Sequence, residues 1–282
     1  MTKVNRERAL VLAKLAGDLD LVSLRQELLK ISGNDCQLKR HTWQGEAQIL
    51  NNWLKDIKQP APYTIFVKGN GKLPFYNFST LPLVTCPGKG ECATYCYSLK
   101  AWRYPGSLCR QIQNTILILT QSVQLKNAWH NLPQGINFRL YVDGDFDSTK
   151  TVDYWFKLCA QRKDINVYGY SKSWQELLDF KGNYPKNYTL NLSSGHKHNA
   201  DTEKKVKTLS ITRGEFITLP VKKAVVGKYD TPKYKQNLKK SAQAAGIKKY
   251  FACPGKCGTC TKKVHACGST RFDKIPILIG IH

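Results

Sequence analysis

The residues with the clearest capacity for chemistry are four cysteines near the carboxyl end of the chain. Cys253, Cys257, Cys260 and Cys267 are separated by three, two and six residues. Thiolates at such spacings can surround a single metal centre, and Pro254 and neighbouring glycines supply the tight turns that this requires. We therefore predict a metal-binding cysteine knuckle in this segment.

A second group consists of Cys86, Cys92 and Cys96, with spacings of five and three residues. Three ligands are one fewer than a closed tetrahedral site needs. Either a further residue such as Cys109 completes the site, or a coordination position stays open for chemistry. Clustered thiolates suit either zinc or an iron–sulfur cluster, and spacing alone does not choose between them.

Three histidines are of a residue type that can bind a metal ion. His282, the last residue, is predicted to be a metal ligand because Ile275–Ile281 has the pattern of a buried closing strand that would hold it in place. His196 and His198 are expected to lie in a solvated polar turn.

Two aspartates follow a short strand pattern at 138–142. Asp143 and Asp145, separated by Gly144, are the catalytic candidates, as general base, nucleophile or cation ligand. Because the carboxyl ends of parallel strands lie at one edge of a sheet, polar residues after other strands are expected nearby. These are the cofactor-binding candidates Ser171, Lys172 and Ser194.

Strand and helix patterns alternate along the second half of the chain. Strands are predicted at 138–142, 166–170 and 188–192, with Thr212 and Arg213 following a fourth, and one long helical stretch at 108–130. This alternation predicts an α/β fold whose parallel βα repeats form a complete or partial (β/α) barrel.

Two domains are expected. Residues 1–60 have leucines at helical spacing and are predicted to be a helical appendage, or cap, on the main body. Residues 61–282 are predicted to be the α/β metal-binding domain with its cysteine-rich carboxyl segment.

The charge indicates a polyanionic partner. The chain has 44 lysines and arginines against 20 acidic residues, a net charge of +24. Such an excess favours nucleic acid, DNA or RNA, whose binding releases counterions. Lysines are dense between 222 and 249, and Tyr229, Tyr234 and Tyr250 are spaced among them as base-stacking candidates.

No apolar run approaches the ~20 residues that span a bilayer, and the charged amino terminus does not have the pattern of a signal peptide. We expect a cytoplasmic protein that does not enter a membrane. Its ten cysteines would then be reduced, which favours metal binding over disulfides.

Several of these motifs together resemble the phage and plasmid family called gene product 88. The resemblance extends over roughly residues 80–282 and rests on Cys86–Cys92, Phe138–Phe146, Tyr168–Ser173, Cys253–Cys267 and the terminal His282. It implies a mobile-element protein with cysteine clusters. The family's Gly-Asp-Phe motif corresponds to 144–146, which raises Asp145 above Asp143 as a site candidate.

More distantly, the predicted architecture resembles radical S-adenosylmethionine enzymes, which carry an iron–sulfur cluster in a partial barrel. Their usual cysteine triplet is displaced here to the carboxyl end, at Cys253, Cys257 and Cys260. A looser similarity is to base-exchanging transglycosylases, which pair barrel aspartates with zinc. The resemblance to radical S-adenosylmethionine enzymes implies S-adenosylmethionine as a further cofactor.

The sequence thus predicts an iron–sulfur or zinc protein of a phage or plasmid that acts on nucleic acid. An enzyme with its site at the carboxyl ends of the strands, of radical or base-exchange type, is one interpretation. The alternative is a non-enzymatic, metal-stabilised protein that binds DNA or RNA.

Overall fold

The amino-terminal part of the chain is helical. The structure of the protein is a computed structural model that describes residues 6–33, 41–258, 260 and 265–281. Its first helices are α1 (Arg6–Gly17), α2 (Leu21–Ser32) and α3 (Trp43–Trp53). The side chains of Asp20 and Thr42 cap α2 and α3 by accepting hydrogen bonds from backbone N–H groups of the first turn.

The rest of the chain alternates between strands and helices. The strands are β1 (Val67–Lys68), β2 (Tyr76–Asn77), β3 (Asn137–Leu140), β4 (Asn166–Ser171), β5 (Tyr188–Ser193), β6 (Thr212–Leu219), β7 (Phe251–Ala252) and β8 (Ile277–Gly280). The helices are α4 (Pro105–Leu119), α5 (Val123–His130), α6 (Thr149–Gln161), α7 (Trp174–Asp179), α8 (Ala200–Lys207) and α9 (Pro232–Ala244).

These strands form one sheet in the order β1-β2-β3-β4-β5-β6-β8-β7. The pair β1 and β2 is antiparallel, and every other pairing is parallel. Helices α6, α7 and α8 each connect two neighbouring strands of the sheet. The predicted α/β class, with parallel βα repeats, is therefore confirmed.

The two faces of the sheet differ because successive residues of a strand point to opposite sides. One face packs against the helices: Phe138, Leu140 and Val167 share a core with the fully buried Trp129 and Trp155. The opposite face, which we call the cavity face, carries a mainly polar and aromatic set: Asn137, Arg139, Tyr168, Tyr170, Asn191, Ser193 and Phe216.

Two details of the predicted elements are wrong. The expected long helix at 108–130 is two helices, because Gln121 has a positive φ of 50° and Ser122 caps a new helix. Thr212 and Arg213 begin β6 rather than follow a strand, which places them at the edge opposite the other candidates. Arg213 is tolerated there because it is buried with its own hydrogen-bond acceptors.

Helices α1 and α3 pack against α4, and their buried residues, such as Leu12 and Leu50, belong to the same core as the helix face of the sheet. The division of the chain into two domains at residue 60 stays a prediction. None of the described helices combines the length and the apolar character needed to cross a membrane.

Candidate active site

The carboxyl ends of the strands open into a cavity of about 630 Å³. All seven cysteines that were predicted as metal ligands line this cavity, namely Cys86, Cys92, Cys96, Cys253, Cys257, Cys260 and Cys267. Two groups that are far apart in the sequence therefore share one space. His282, the eighth predicted ligand, lies outside the described residues.

The first cysteine group is held against the ends of β4 and β5. Backbone N–H groups of Gly90 and Cys92 both donate to the carbonyl of Gly195, at 3.1 and 3.2 Å. Gly88 permits the approach, because a Cβ there would lie 1.6 Å from the carbonyl oxygen of Lys172. No residue but glycine fits that contact without movement of the backbone.

The second group is attached to the other side of the sheet. Cys253 directly follows β7, and its N–H donates to Leu278 O at 2.8 Å. Cys267 accepts at its carbonyl from the side-chain amide of Asn191, also at 2.8 Å. Two of the sulfurs accept backbone hydrogen bonds, Cys253 from Gly255 N at 3.4 Å and Cys260 from Ala266 N at 3.3 Å. Such N–H···S contacts stabilise a thiolate.

Burial raises the pKa of Cys86 and of Cys267 to about 12 and that of Cys253 to about 11. These groups are neutral thiols at neutral pH until a cation binds and displaces the proton. Among the residues the structure describes, no three His, Cys, Asp or Glu side chains are close enough together to hold a metal ion. Cys109 is buried on α4 and is not part of the cavity wall.

Asp145 is 4% exposed, and both oxygens of its carboxylate accept hydrogen bonds. Its Oδ1 accepts from Ser171 Oγ at 2.7 Å and from Phe146 N at 2.8 Å, and its Oδ2 accepts from Lys172 N at 2.7 Å. Burial raises its pKa, and these three hydrogen bonds oppose the rise. Asp145 thus ties the end of β3 to the end of β4.

Asp143 also lines the cavity and is more exposed than Asp145. Its Oδ2 accepts from Gln111 Nε2 at 3.0 Å. Burial raises the pKa of Asp143, and nearby Ser98 and Arg139 only partly oppose this. The raised pKa makes Asp143 a better general acid than a free aspartic acid side chain. Gly144, with φ of 81°, separates the two aspartates, and a Cβ there would lie 1.9 Å from Thr80 Oγ1.

The cofactor-binding candidates occupy the same edge of the sheet. Lys172 and Ser194 line the cavity, and Lys172 Nζ donates to Ser193 Oγ at 2.8 Å. Ser171 is buried behind them and donates to Asp145. The carbonyl oxygen of Lys172 lies 2.6 Å from His198 Nε2.

Two cavity residues were missed by the sequence analysis. Arg139 lies in β3 with its guanidinium 4.7 Å from the centre of the Tyr170 ring. His265 is 7% exposed, and its Nε2 is buried without a hydrogen-bond partner in the described part of the chain. Burial lowers the pKa of His265 to about 4, so it is neutral. For Arg139 the available signal was the alternating pattern of its strand, and for His265 it was the position of the histidine among the carboxyl-terminal cysteines.

Two expectations about side chains on the surface are wrong. His196 and His198 pack on Trp174, with ring centroids 3.8 and 5.1 Å away, because the turn that carries them folds over α7. Tyr234 is 1% exposed, and its hydroxyl accepts a hydrogen bond from Gly280 N. Its ring therefore packs in the core under α9 and is not available to stack on a base. The exposed tyrosines at the cavity are instead Tyr95 and Tyr97.

A family model described as Gene product 88 matches residues 28–272. Comparison with curated proteins and with solved structures gave no match.

Proposed function

Because the chain belongs to the Gene product 88 family, whose description names no activity, we propose its function from the geometry of the cavity. We infer that it is a metal-binding enzyme that acts on nucleic acid. The observation that carries this proposal is the convergence of both cysteine groups on one cavity at the carboxyl ends of parallel strands.

The metal is proposed to be held by thiolates, either as zinc or as an iron–sulfur cluster. Both cysteine groups lie on turns and short connections, and binding would draw their thiolates together as the ion displaces the protons. Backbone N–H groups that already donate to Cys253 and Cys260 would support the charge on the bound sulfurs. His265, neutral and buried on the same wall, is an additional candidate ligand.

An enzyme is favoured because the cavity contains acid–base groups beside the thiols. Asp143 can exchange a proton, and Asp145 positions the segments around it. We propose that the sheet curves around the cavity as a partial barrel, as in the radical S-adenosylmethionine enzymes that the sequence resembles.

Nucleic acid is the proposed substrate because the net charge is +24 and cations are frequent around the cavity. Five cations against two carboxylates line it; the cations are Lys72, Lys89, Arg139, Lys172 and Lys256. Tyr95 and Tyr97, which are 38% and 46% exposed, give aromatic surface near the same space. Cations with exposed aromatic rings are the combination that binds single-stranded nucleic acid.

A non-enzymatic role is supported by one specific observation. The carboxylate of Asp145 accepts three hydrogen bonds, which is what a structural residue requires. In that case both cysteine groups would stabilise a nucleic-acid-binding protein.

Metal and acid-labile sulfide analysis of protein purified without air, with a visible absorption spectrum, tests the proposal. Iron with sulfide and a broad visible band supports a cluster, and S-adenosylmethionine cleavage is then the assay to run. Zinc alone at about one or two ions per chain supports the hydrolytic or base-exchange form. Protein that contains neither metal would refute the proposal.

A further inference from the structure

The arginine of the cavity wall stands on a central strand of the sheet. Arg139 is the third residue of β3, and its strand partner on β4 is Tyr168. Its guanidinium stacks over Tyr170, the next residue of β4 on the same face. The rigid sheet therefore holds this cation at a defined place inside the cavity.

Arg139 has no hydrogen-bonding partner for its side chain among the residues that the structure describes. Its Nε is buried and unsatisfied. Its side chain is in none of the ion pairs found within the described ranges, although the charge of Arg139 does act on the nearby Asp143. The guanidinium contacts the face of the Tyr170 ring, and this contact leaves its N–H donors without hydrogen bonds.

The other arginine of the sheet, the buried Arg213, shows what a structural arginine looks like in this protein. Arg213 donates through Nε to Asn191 Oδ1 at 2.7 Å. Its two terminal nitrogens donate to the carbonyls of Phe272, Ile275 and Glu215. Every side-chain nitrogen of Arg213 is therefore satisfied by the fold, whereas the buried Nε of Arg139 has no acceptor in the part of the chain that the structure describes.

A buried N–H donor without a hydrogen-bond acceptor destabilises a folded protein, and the half-buried Arg139 has such a donor at Nε, so its presence needs a reason. The guanidinium is a planar fork that binds two oxygens of a carboxylate or phosphate at once. We propose that Arg139 binds an oxyanion group, carboxylate or phosphate, of the ligand that enters the cavity. This inference rests on the proposed function, because it takes the cavity to be the place where the ligand binds.

The size of the cavity limits the ligand. A space of about 630 Å³ is in the range of ~300 to 1,000 Å³ that small-molecule sites occupy. It accommodates one nucleotide unit or a comparable small anion, and not a duplex. For a nucleic-acid substrate, the unit that reaches Arg139 is therefore single-stranded or turned out of its stack.

Thermal unfolding with inorganic phosphate and, separately, with acetate tests the proposal, with chloride added to keep the ionic strength constant. Wild-type protein is expected to show a saturable rise in Tm with at least one anion. A response to phosphate alone identifies a phosphate ligand, and a response to acetate alone identifies a carboxylate ligand. Arg139→Met is expected to lose the response, and Arg139→Lys to weaken it about tenfold because a lysine cannot bind two oxygens as a fork.

The matched control is Lys55→Met, which removes the same charge from an exposed position outside the cavity wall. It is expected to keep the wild-type response. In the absence of added anion, Arg139→Met is expected to unfold at the same Tm as wild type or higher, since it removes an unsatisfied buried N–H donor. A structural arginine would give a lower Tm.

Two results would overturn the inference: no saturable response of the wild type to either anion, or a response of Arg139→Met equal to that of the wild type. Metal content is measured on the same samples. Anion binding by metal-free protein would keep Arg139 as an anion site and refute the proposed function, whereas metal-containing protein without anion binding would refute only the inference.

Discussion

At the scale of single residues, the two aspartates after β3 have different surroundings. Asp145 is 4% exposed and accepts three hydrogen bonds at 2.7 to 2.8 Å. Asp143 is more exposed; it accepts from the Gln111 side chain at 3.0 Å and lies beside the hydroxyl groups of Ser98 and Ser79. The sequence motif favoured Asp145 as the catalytic residue, a role that stays a prediction. The geometry adds that Asp145 holds the strand ends together and that Asp143 is the more available acid or base.

Replacement of Asp145 by alanine is expected to destabilise the fold strongly. It leaves the donors on Phe146, Ser171 and Lys172 buried without their acceptor, at a cost of about 1 to 3 kcal/mol for each unsatisfied group. We expect a loss of at least ~3 kcal/mol in the free energy of unfolding, measured by urea titration. Asp153→Ala, which breaks only a surface pair with Lys157, should cost less than ~1 kcal/mol. Equal effects of the two substitutions would contradict this assignment.

Asp143 is expected to make stability depend on pH. Burial raises its pKa in the folded chain above the unfolded value of about 3.9, so folding takes up a proton. Its favourable contribution is complete below the unfolded pKa and is lost as the pH rises through the folded pKa. Asp143→Asn avoids this loss and should raise Tm at pH 7, by roughly 2 to 4 °C if the penalty is about 1 kcal/mol. The gain should shrink towards pH 4, and a gain that is constant with pH would exclude this explanation.

At the scale of elements, the local patterns predicted most of the α/β part. The short apolar strand patterns identified β3, β4 and β5, and the structure adds that the Ser148 side chain caps α6 by accepting from Thr151 N. The break at Gln121 was missed because neither glycine nor proline marks it. Arg213 was misplaced because its acceptors come from distant segments, and local sequence does not contain that information.

The docking of the first cysteine loop provides a test at this scale. Gly88→Ala would place a Cβ 1.6 Å from the Lys172 carbonyl oxygen and so push the loop of Cys86 and Cys92 away from β4 and β5. We expect this variant to fold but to retain less metal, measured by elemental analysis after dialysis. Gly71→Ala is the control, because a Cβ at that position has no atom within 4 Å. Unchanged metal content in Gly88→Ala would show that the docking of the loop does not matter for binding.

At the scale of the whole molecule, the order of strands in the sheet determines which residues meet. The cysteines of each group were identifiable from their spacing, but their common cavity was not, because it depends on β7 and β8 joining the sheet beside β6. The same holds for Arg139, whose position against Tyr170 depends on the register of β3 with β4. Sequence patterns specify elements, and long-range pairing specifies sites.

The charge of the whole molecule leads to a prediction about salt. Binding to a single-stranded oligonucleotide, measured by fluorescence anisotropy, should weaken steeply as salt rises, with a log–log slope of ~0.7 per phosphate contacted. Exposed lysines of α9 are proposed to make some of these contacts, so the combined replacement of Lys233, Lys239 and Lys240 by glutamine should reduce the slope by about 2.

The control for this experiment replaces Lys14, Lys30 and Lys157 by glutamine, since each of these lysines is already paired with an acidic residue three or four positions away. The control should leave the slope nearly unchanged. If both triple variants lower the slope equally, binding depends on net charge and not on α9.

The most direct test of the central claim is the metal content of single-cysteine variants, one from each group, measured per chain on protein purified without air. If both groups serve the metal chemistry of one cavity, Cys86→Ser and Cys257→Ser should each lose a large part of the bound metal. Cys159→Ala, a buried thiol of α6 outside the cavity wall, should keep it all. Wild-type metal content in both Cys86→Ser and Cys257→Ser would contradict a metal site formed by these cysteines.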